Sequence, residues 1–395
     1  MISEPKCAAP EVLLTDAEQR SVLAACRGLR AGGYRVSAVS GKRPAATHWS
    51  RCCAERHALP DPLVDPQAFV GRLEDLVKRR SYAVLLTGSD ASLLAVSESR
   101  ERFESATTLG LPSRAVVRRI LQRDALYEQA ASVGLPAPAS VLCASAAEAS
   151  RAARELRFPV IVKPARSLVP VNGGMRQLRS LVASDETSLA RVLPRFVPPF
   201  LIQSYLHDRS IISCAGVLVD GELRALAVSK YLRTWPADAG SASLSETIVP
   251  PDGLATRLEK LLRGLGWQGI FEVELLALGA GEFSVIDLNP RPYGSMSLAL
   301  AAGANLAAIW CDHLLGRNGP LVVARPLFRY RWEDGEILHL VSNLRHGRFR
   351  DAAAIMRPYR RVTYAQFRVT DPAPLAARSI YIGGRLLSRL RSAHD

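Results

Sequence analysis

The stretch that decides the fold runs Phe271-Glu272-Val273-Glu274-Leu275 and then Val285-Ile286-Asp287-Leu288-Asn289-Pro290-Arg291. Both halves read as strands, with Gly279-Ala280-Gly281 between them as the turn of a hairpin. Side chains alternate between faces, so Phe271, Val273 and Leu275 share one face, and Ile286 and Leu288 must join them to make a single apolar side. With Ala280-Gly281 as a two-residue turn, Glu274 lies opposite Asp287 and Glu272 opposite Asn289. Three carboxylates and an amide then crowd one face. Like charges directly opposite in a sheet cost roughly 0.2 to 1 kcal/mol even when exposed, so something positive belongs there. Oxygen ligands without His or Cys favour Mg2+ or Mn2+ over zinc, and magnesium held by few carboxylates usually completes its shell with phosphate oxygens. The stretch by itself points to a metal-nucleotide site. The competing account is a solvated Glu272, with Arg291 and Asp287 forming a plain salt bridge.

The rest of the chain sets the frame. Its 395 residues suggest two to three domains at about 150 residues each, and 48% hydrophobic with 22% charged residues excludes wholesale disorder or a collagenous design. No apolar run is long enough to span a membrane, and Met1 to Pro10 lacks the build of a signal peptide, so a cytoplasmic location is expected. The seven cysteines are scattered with no CxxC pair, which leaves a zinc site or disulfide framework without support. The net charge is +14, and residues 321–395 hold 14 Arg, no Lys and six acids, a local +8. Such an end attracts polyanions, but no nucleic-acid-binding signature is legible, so no specific nucleic acid is expected. Of 51 Lys plus Arg only Lys6, Lys42, Lys78, Lys163, Lys230 and Lys260 are lysines. A lysine kept in such a chain marks a place where a guanidinium will not serve.

Along the chain, Glu11 to Thr15 reads as a buried strand, Ala17 to Leu29 as a helix, Tyr34 to Ser40 as a strand, Phe69 to Arg80 as a helix and Tyr82 to Leu86 as a third strand. A small parallel sheet with helices follows, without a GxGxxG fingerprint. Arg114 to Val133 reads as one long helix, closed by Gly134. Phe158 to Pro164 is a buried strand ending in Lys163, followed by a hairpin turned at Asn172-Gly173-Gly174, an apolar strand at Phe200 to Gln203, and a strand pair turned at Asp220-Gly221.

This order of features resembles the ATP-grasp superfamily, in particular its carbamoyl-phosphate-synthase-like carboxylate-amine ligases and their D-aspartate-ligase-like group. The resemblance covers nearly the whole chain, and its most specific motif is Asp287-Leu288-Asn289-Pro290-Arg291, which looks like the family's acidic-x-Asn-Pro-Arg signature. It implies an α/β N-terminal pre-ATP-grasp domain with a small parallel sheet (1–112), then an α+β ATP-grasp domain (113–316). The latter would comprise a linker helix at 113–134, a lid subdomain at about 140–203 and a larger subdomain at about 204–316. A basic C-terminal region (317–395) would pack on it. By the same match Glu274, Asp287 and Asn289 are the Mg2+ (or Mn2+) ligands, and Arg291 faces the reacting phosphate. Lys163 reaches the ATP phosphates, Arg123 takes the place of an earlier phosphate-binding cation, and Lys230 with Arg233 forms the basic segment near the triphosphate. Gln203, Ser204, Tyr205 and Leu206 are similar to the hinge that binds adenine, with Gln203 where the family usually has Glu. Ser89, Tyr293 and Ser295 are candidates for substrate contact. Asp287 stands where Glu is commoner, and the loop 165–175 carries only Gly173 and Gly174.

The implied activity is ATP-dependent activation of a carboxylate as an acyl phosphate, with release of ADP and phosphate, and amide formation with an amine. Two other readings stay open: a protein that binds ATP with little chemistry, and a basic adaptor docking on membrane or nucleic acid. A homodimer, and weak contact of the arginine-rich end with an anionic surface, are compatible with all three.

Overall fold

The computed structural model describes residues 9–391 except 172, 208, 238 and 239, with backbone alone for 385–391. The first sheet is parallel throughout. Its elements are β1 (Glu11–Leu14), α1 (Arg20–Ala31), β2 (Arg35–Ser40), β3 (Glu55–Ala58), α2 (Pro66–Arg79), β4 (Val84–Leu86), α3 (Asp90–Glu98) and β5 (Thr108–Leu109), with strand order β3-β2-β1-β4-β5. Val12 and Leu14 enter one core and Leu13 another, so β1 is apolar on both faces, as a covered parallel strand must be. The helix expected from Ala17 starts only at Arg20. Asp16 turns the chain first, at φ 60°, while its carboxylate accepts from Ser89 Oγ, Ser92 Oγ and the Gly88 N–H. The strand order reverses between β1 and β4, which puts the Thr15–Glu18 and Thr87–Asp90 loops where open α/β sheets bind ligands.

The expected long helix is two: α4 (Arg114–Ile120) and α5 (Arg123–Ser132). Gln122 between them is extended and bridges to Arg166, and the Arg123 N–H donates to Ala165 O, so the break presents Arg123 at a helix start beside the next sheet. That sheet follows as β6 (Ser140–Cys143), α6 (Ala146–Leu156), β7 (Val160–Pro164), the hairpin β8 (Leu168–Val171) and β9 (Gly174–Gln177), β10 (Leu181–Ala183), α7 (Glu186–Val192) and β11 (Phe200–Ser204). The hairpin turns where expected, although Asn172 lies outside the described residues. The strand order is β10-β7-β11-β6, antiparallel. Val160, Val162, Phe200 and Ile202 pack with Ala149, Ala153 and Leu189 of the helices. Alternation therefore turns Ile161, Lys163, Leu201 and Gln203 to the other face.

The largest sheet contains β12 (Ser210–Val219), β13 (Glu222–Trp235), β14 (Ser241–Thr247), α8 (Leu254–Leu265) beside it, β15 (Gly269–Gly279) and β16 (Glu282–Asn289). Then come α9 (Met296–Ala301), α10 (Leu306–Leu314), β17 (Val322–Val323), β18 (Arg329–Arg331), α11 (Glu333–Arg345), α12 (Phe349–Met356), β19 (Val362–Tyr364) and α13 (Ala373–Arg391). The order is β16-β15-β12-β13-β14-β18-β19, with β17 alongside β13. Phe271, Val273 and Leu275 lie with the leucines of α8 in one core, while Ala215, Val217 and Ala227 on the opposite face join α10 and the N-terminal sheet. The arginine-rich end does more than pack on this domain: β17, β18 and β19 are strands of its sheet. Among the described residues no helix is long and apolar enough to cross a membrane, and the six described cysteines are free.

Beyond β19 the chain returns to the first sheet. Arg27 of α1, 4% exposed, donates through Nε to Asp371 Oδ2 at 3.0 Å and through Nη2 to Gln366 O at 2.8 Å, and Asp371 also accepts from Ser50 Oγ and the Arg51 N–H. Breaking a buried pair leaves an uncompensated charge, so Asp371→Ala should lower stability by about 3 kcal/mol. In thermal unfolding the double variant Arg27→Ala/Asp371→Ala should lose less than the two single losses added.

Candidate functional site

The β15–β16 register is the expected one at the decisive positions: Glu272 faces Asn289, Val273 faces Leu288 and Glu274 faces Asp287. It is reached differently. One irregularity lies between Ala277 and Gly279 and a second, in the opposite sense, between Glu274 and Leu275, so the pairing slips and then recovers. As a result Val285, rather than Ile286, stands opposite Leu275 and enters the core. Ile286 is the extra residue, and its carbonyl accepts from Lys163 Nζ at 3.0 Å and Tyr127 OH at 3.4 Å.

Across the strands, Ser213 of β12 lies opposite Glu274 and Ala215 opposite Glu272. Glu272 is buried and fully engaged: Ser213 Oγ donates at 2.6 Å, Tyr231 OH at 3.2 Å and Asn289 Nδ2 at 3.0 Å. Glu274 accepts from Tyr231 OH at 2.7 Å. Burial first, then the neighbouring Glu272 and Asp287, push the Glu274 carboxyl up to about 8. Burial likewise raises Glu272 against the hydrogen bonds it accepts, and keeps the Tyr231 hydroxyl a proton donor.

Positive charge arrives from three other parts of the chain. Arg123, 8% exposed, donates to Asp287 Oδ1 at 3.2 Å and to Pro164 O at 3.1 Å. Lys163 stands at the end of β7, its Nζ 3.4 Å from Tyr127 OH. Arg291 donates through Nη2 to Asn289 Oδ1 at 3.0 Å and through Nε to Asp90 Oδ1 at 2.5 Å. The plain Arg291–Asp287 bridge considered above is not formed: Arg123 takes Asp287, and Arg291 takes Asp90. Asp90 opens α3, and its other oxygen accepts from Gln177 of the β8–β9 hairpin at 3.4 Å. The Met175 N–H of the same hairpin donates to Leu63 O, so this loop lies against the turn between β3 and α2.

Gln203 is fully buried, its Nε2 3.3 Å from Tyr127 OH, and Ser204, Tyr205 and Leu206 lead out of β11 behind it, with the Ser204 N–H donating to Ala139 O. Two buried atoms in this cleft have no partner among the described residues, Gln203 Oε1 and Arg123 Nε. One is an acceptor and the other a donor, as a ligand with both kinds of group requires.

Not every candidate joins the cluster. Lys230 is exposed and stands in the row Leu275–Ile212–Lys230, on the face opposite the carboxylates. Arg233 pairs with Glu336 of α11. Ser89 spends its hydroxyl on capping α3 and on Asp16. Tyr293 and Ser295 are 3% and 4% exposed, Tyr293 within the core shared with the N-terminal sheet. Among the described residues no group of three or more His, Cys, Asp or Glu side chains is arranged to hold a metal ion. The expected set contains two carboxylates and one amide. Its donors are all oxygens, and the Glu274 carboxyl, raised to about 8 by burial and by Glu272 and Asp287, is a group whose ionised form a hard cation stabilises. Sequence reading missed Tyr127 and Ser213, and gave Tyr231 and Asp90 no contact of their own. Strand alternation through Ala227 and Ser229 was the available signal for Tyr231, since it sets Tyr231, not Lys230, on the carboxylate face.

No family model matches the chain. Over 311 residues, 74% of this chain, it is 27% identical to the N-terminal section of the carbamoyl phosphate synthase large chain of Methanopyrus kandleri, and it spans 52% of that relative's length. Among solved structures, the biotin carboxylase domain of Hydrogenobacter thermophilus 2-oxoglutarate carboxylase superposes with TM-score 0.62 at 14% identity, covering 82% of this chain and 74% of that one. Carboxyaminoimidazole ribonucleotide synthetase in its ADP complex gives 0.62 at 13%, covering 88% and 87%. The chain has the ATP-grasp fold. Within it, Asp90, the β8–β9 hairpin and the β15–β16 face meet at the Arg291–Asp90 pair.

Because burial and its acidic neighbours disfavour the ionised Glu274, Glu274→Gln should stabilise the ligand-free fold. The carboxyl's folded value lies above its unfolded one, so its contribution is full below about pH 4.5 and is lost as pH rises through about 8. The stability gap between variant and parent, read from thermal unfolding, should therefore widen from about pH 5 to about pH 9, on the order of a few kcal/mol at most. A constant or shrinking gap contradicts it.

Proposed function

We propose that the protein is an ATP-dependent ligase that activates a substrate carboxylate as an acyl phosphate and passes the acyl group to an amine. The observation that carries this is the meeting of Arg123, Lys163 and Arg291, from three separate elements, around the Glu274–Asp287–Asn289 face. In this reading residues 1–112 form the N-terminal unit, 113–316 the ATP-grasp unit, and 317–395 a basic extension that shares its sheet. A homodimer is the proposed assembly, in line with the biotin carboxylase domain dimer among its structural neighbours.

Glu274, Asp287 and Asn289 would hold Mg2+, or Mn2+, which neutralises phosphate charge when bound. Lys163 and Arg123 bind the phosphate oxygens, for which Arg123 must exchange its contact with Asp287. Gln203 offers Oε1 as an acceptor to the amino group of adenine, with the backbone of 204–206 behind it. Arg291, held by Asp90 and Asn289, points its guanidinium at the site of transfer and stabilises charge as it passes to the substrate oxygen. The carboxylate attacks the γ-phosphorus, the bond to the bridging oxygen breaks, and ADP leaves. The amine then displaces phosphate and loses a proton. The β8–β9 hairpin, held against Leu63 and Asp90 of the N-terminal unit, keeps water from the mixed anhydride.

The test is incubation with Mg-ATP, pooled carboxylic and amino acids, and hydroxylamine. ADP, phosphate and a hydroxamate appearing only with a carboxylate present are the expected products, whereas AMP and pyrophosphate overturn the proposal. Asp287→Asn and Lys163→Ala should lower kcat at least about a hundredfold with the fold retained. Asp90→Asn, which keeps its size but loses the charge that fixes Arg291, should lower kcat about tenfold or more with little change in the KM for ATP.

A further inference from the structure

Helix α11 is built inside out. Its sheet-facing side carries Glu333, whose carboxylate accepts from the Gln366 and Phe367 N–H groups, Glu336, which is 5% exposed and pairs with Arg233 and Arg331, and Asn343 at 8%. Its outward side carries Ile337, Leu338, Val341 and Leu344, between 38% and 59% exposed. A helix of a water-soluble domain normally shows the reverse arrangement. After a turn at Gly347, α12 adds Phe349 and Met356, each 68% exposed and on the same side of that helix, with Ala352 and Ile355 buried behind. Six large apolar side chains thus lie in the open on two adjoining helices, and patches of this kind mark interaction surfaces.

The charge around the patch is one-sided. Arg345, Arg348, Arg350, Arg357, Arg360 and Arg361 are exposed, against Asp351 as the exposed acid between 333 and 361. The other acids there are taken: Glu333 by backbone, Glu336 by Arg233, and Asp334 by Arg378. We propose that α11 and α12 form a docking surface for an anionic phospholipid membrane, with Ile337, Val341, Leu344, Phe349 and Met356 entering the headgroup boundary and the arginines meeting lipid phosphates. Apolar side chains flanked by arginines on helices lying side by side match the chemistry of that interface. A second copy fits worse, since the same patch would bring arginine against arginine. A nucleic acid fits worse too, because it offers nothing to four aliphatic side chains on α11. The surface stands apart from the proposed catalytic cleft, so it holds or fails independently of the ligase reading.

The test is sedimentation of the full chain with phosphatidylcholine vesicles, with and without phosphatidylglycerol. The expected result is binding to the anionic vesicles at least about tenfold tighter, weakening steeply as salt is raised. Ile337→Asp, Phe349→Asp and the pair Arg348→Glu/Arg350→Glu should each weaken binding about tenfold or more, while circular dichroism and the melting temperature stay those of the parent. No binding to anionic vesicles, equal binding to both kinds, or binding unchanged in all three variants overturns the proposal. Self-association that disappears in these variants, without vesicle binding, overturns it in favour of a subunit interface.

Discussion

The rest of the structure is organised around a crowd of negative charge that one sheet face cannot carry alone. Glu272, Glu274 and Asp287 stand as neighbours on β15 and β16, Glu272 buried and the other two half-buried. Three hydrogen bonds settle Glu272, but the remaining pair requires cations. These come from α5, β7 and the segment after β16, and in delivering them the chain ties the β7 sheet and, through Asp90, the N-terminal unit to the β15–β16 face. Tyr231, bonded to both glutamates, holds the two acids at a fixed separation.

Much of this was legible because strand alternation is a strict rule. The pairing of Glu274 with Asp287 and of Glu272 with Asn289 follows from apolar parity together with a two-residue turn at Ala280-Gly281, and the two compensating irregularities in the hairpin leave it intact. What parity could not show was which residue would become the extra one, and so that Ile286 would turn its carbonyl to Lys163. The parallel N-terminal sheet and the lysine-ending strand were equally plain from apolar runs and their punctuation. Partners distant in sequence were not. Asp90 reads as a loop residue until Arg291 arrives from 201 positions away. Lys230 reads as a phosphate ligand until the register puts it on the wrong side, and Arg233 until Glu336 claims it. The break at Gln122 was invisible for another reason: local helical preference continues across it, and only pairing with Arg166 overrides that preference.

The basic composition resolves into unlike parts once its neighbours are known. Arg27, Arg123, Arg233 and Arg291 are each bonded to a carboxylate inside the protein and act as internal fasteners. Those of α11, α12 and the following loop face outward beside exposed apolar side chains. Total charge alone could not separate the two groups, because burial decides which arginines are structural and which meet the surroundings.

The pairing of Arg27 with Asp371 carries a consequence in time. During synthesis α1 leaves the ribosome long before residue 371 has been made, so its guanidinium must wait, hydrated, for a partner made 344 residues later. The N-terminal sheet therefore reaches its final packing only once residue 371 has been made, and segments 344 residues apart mature as a single event.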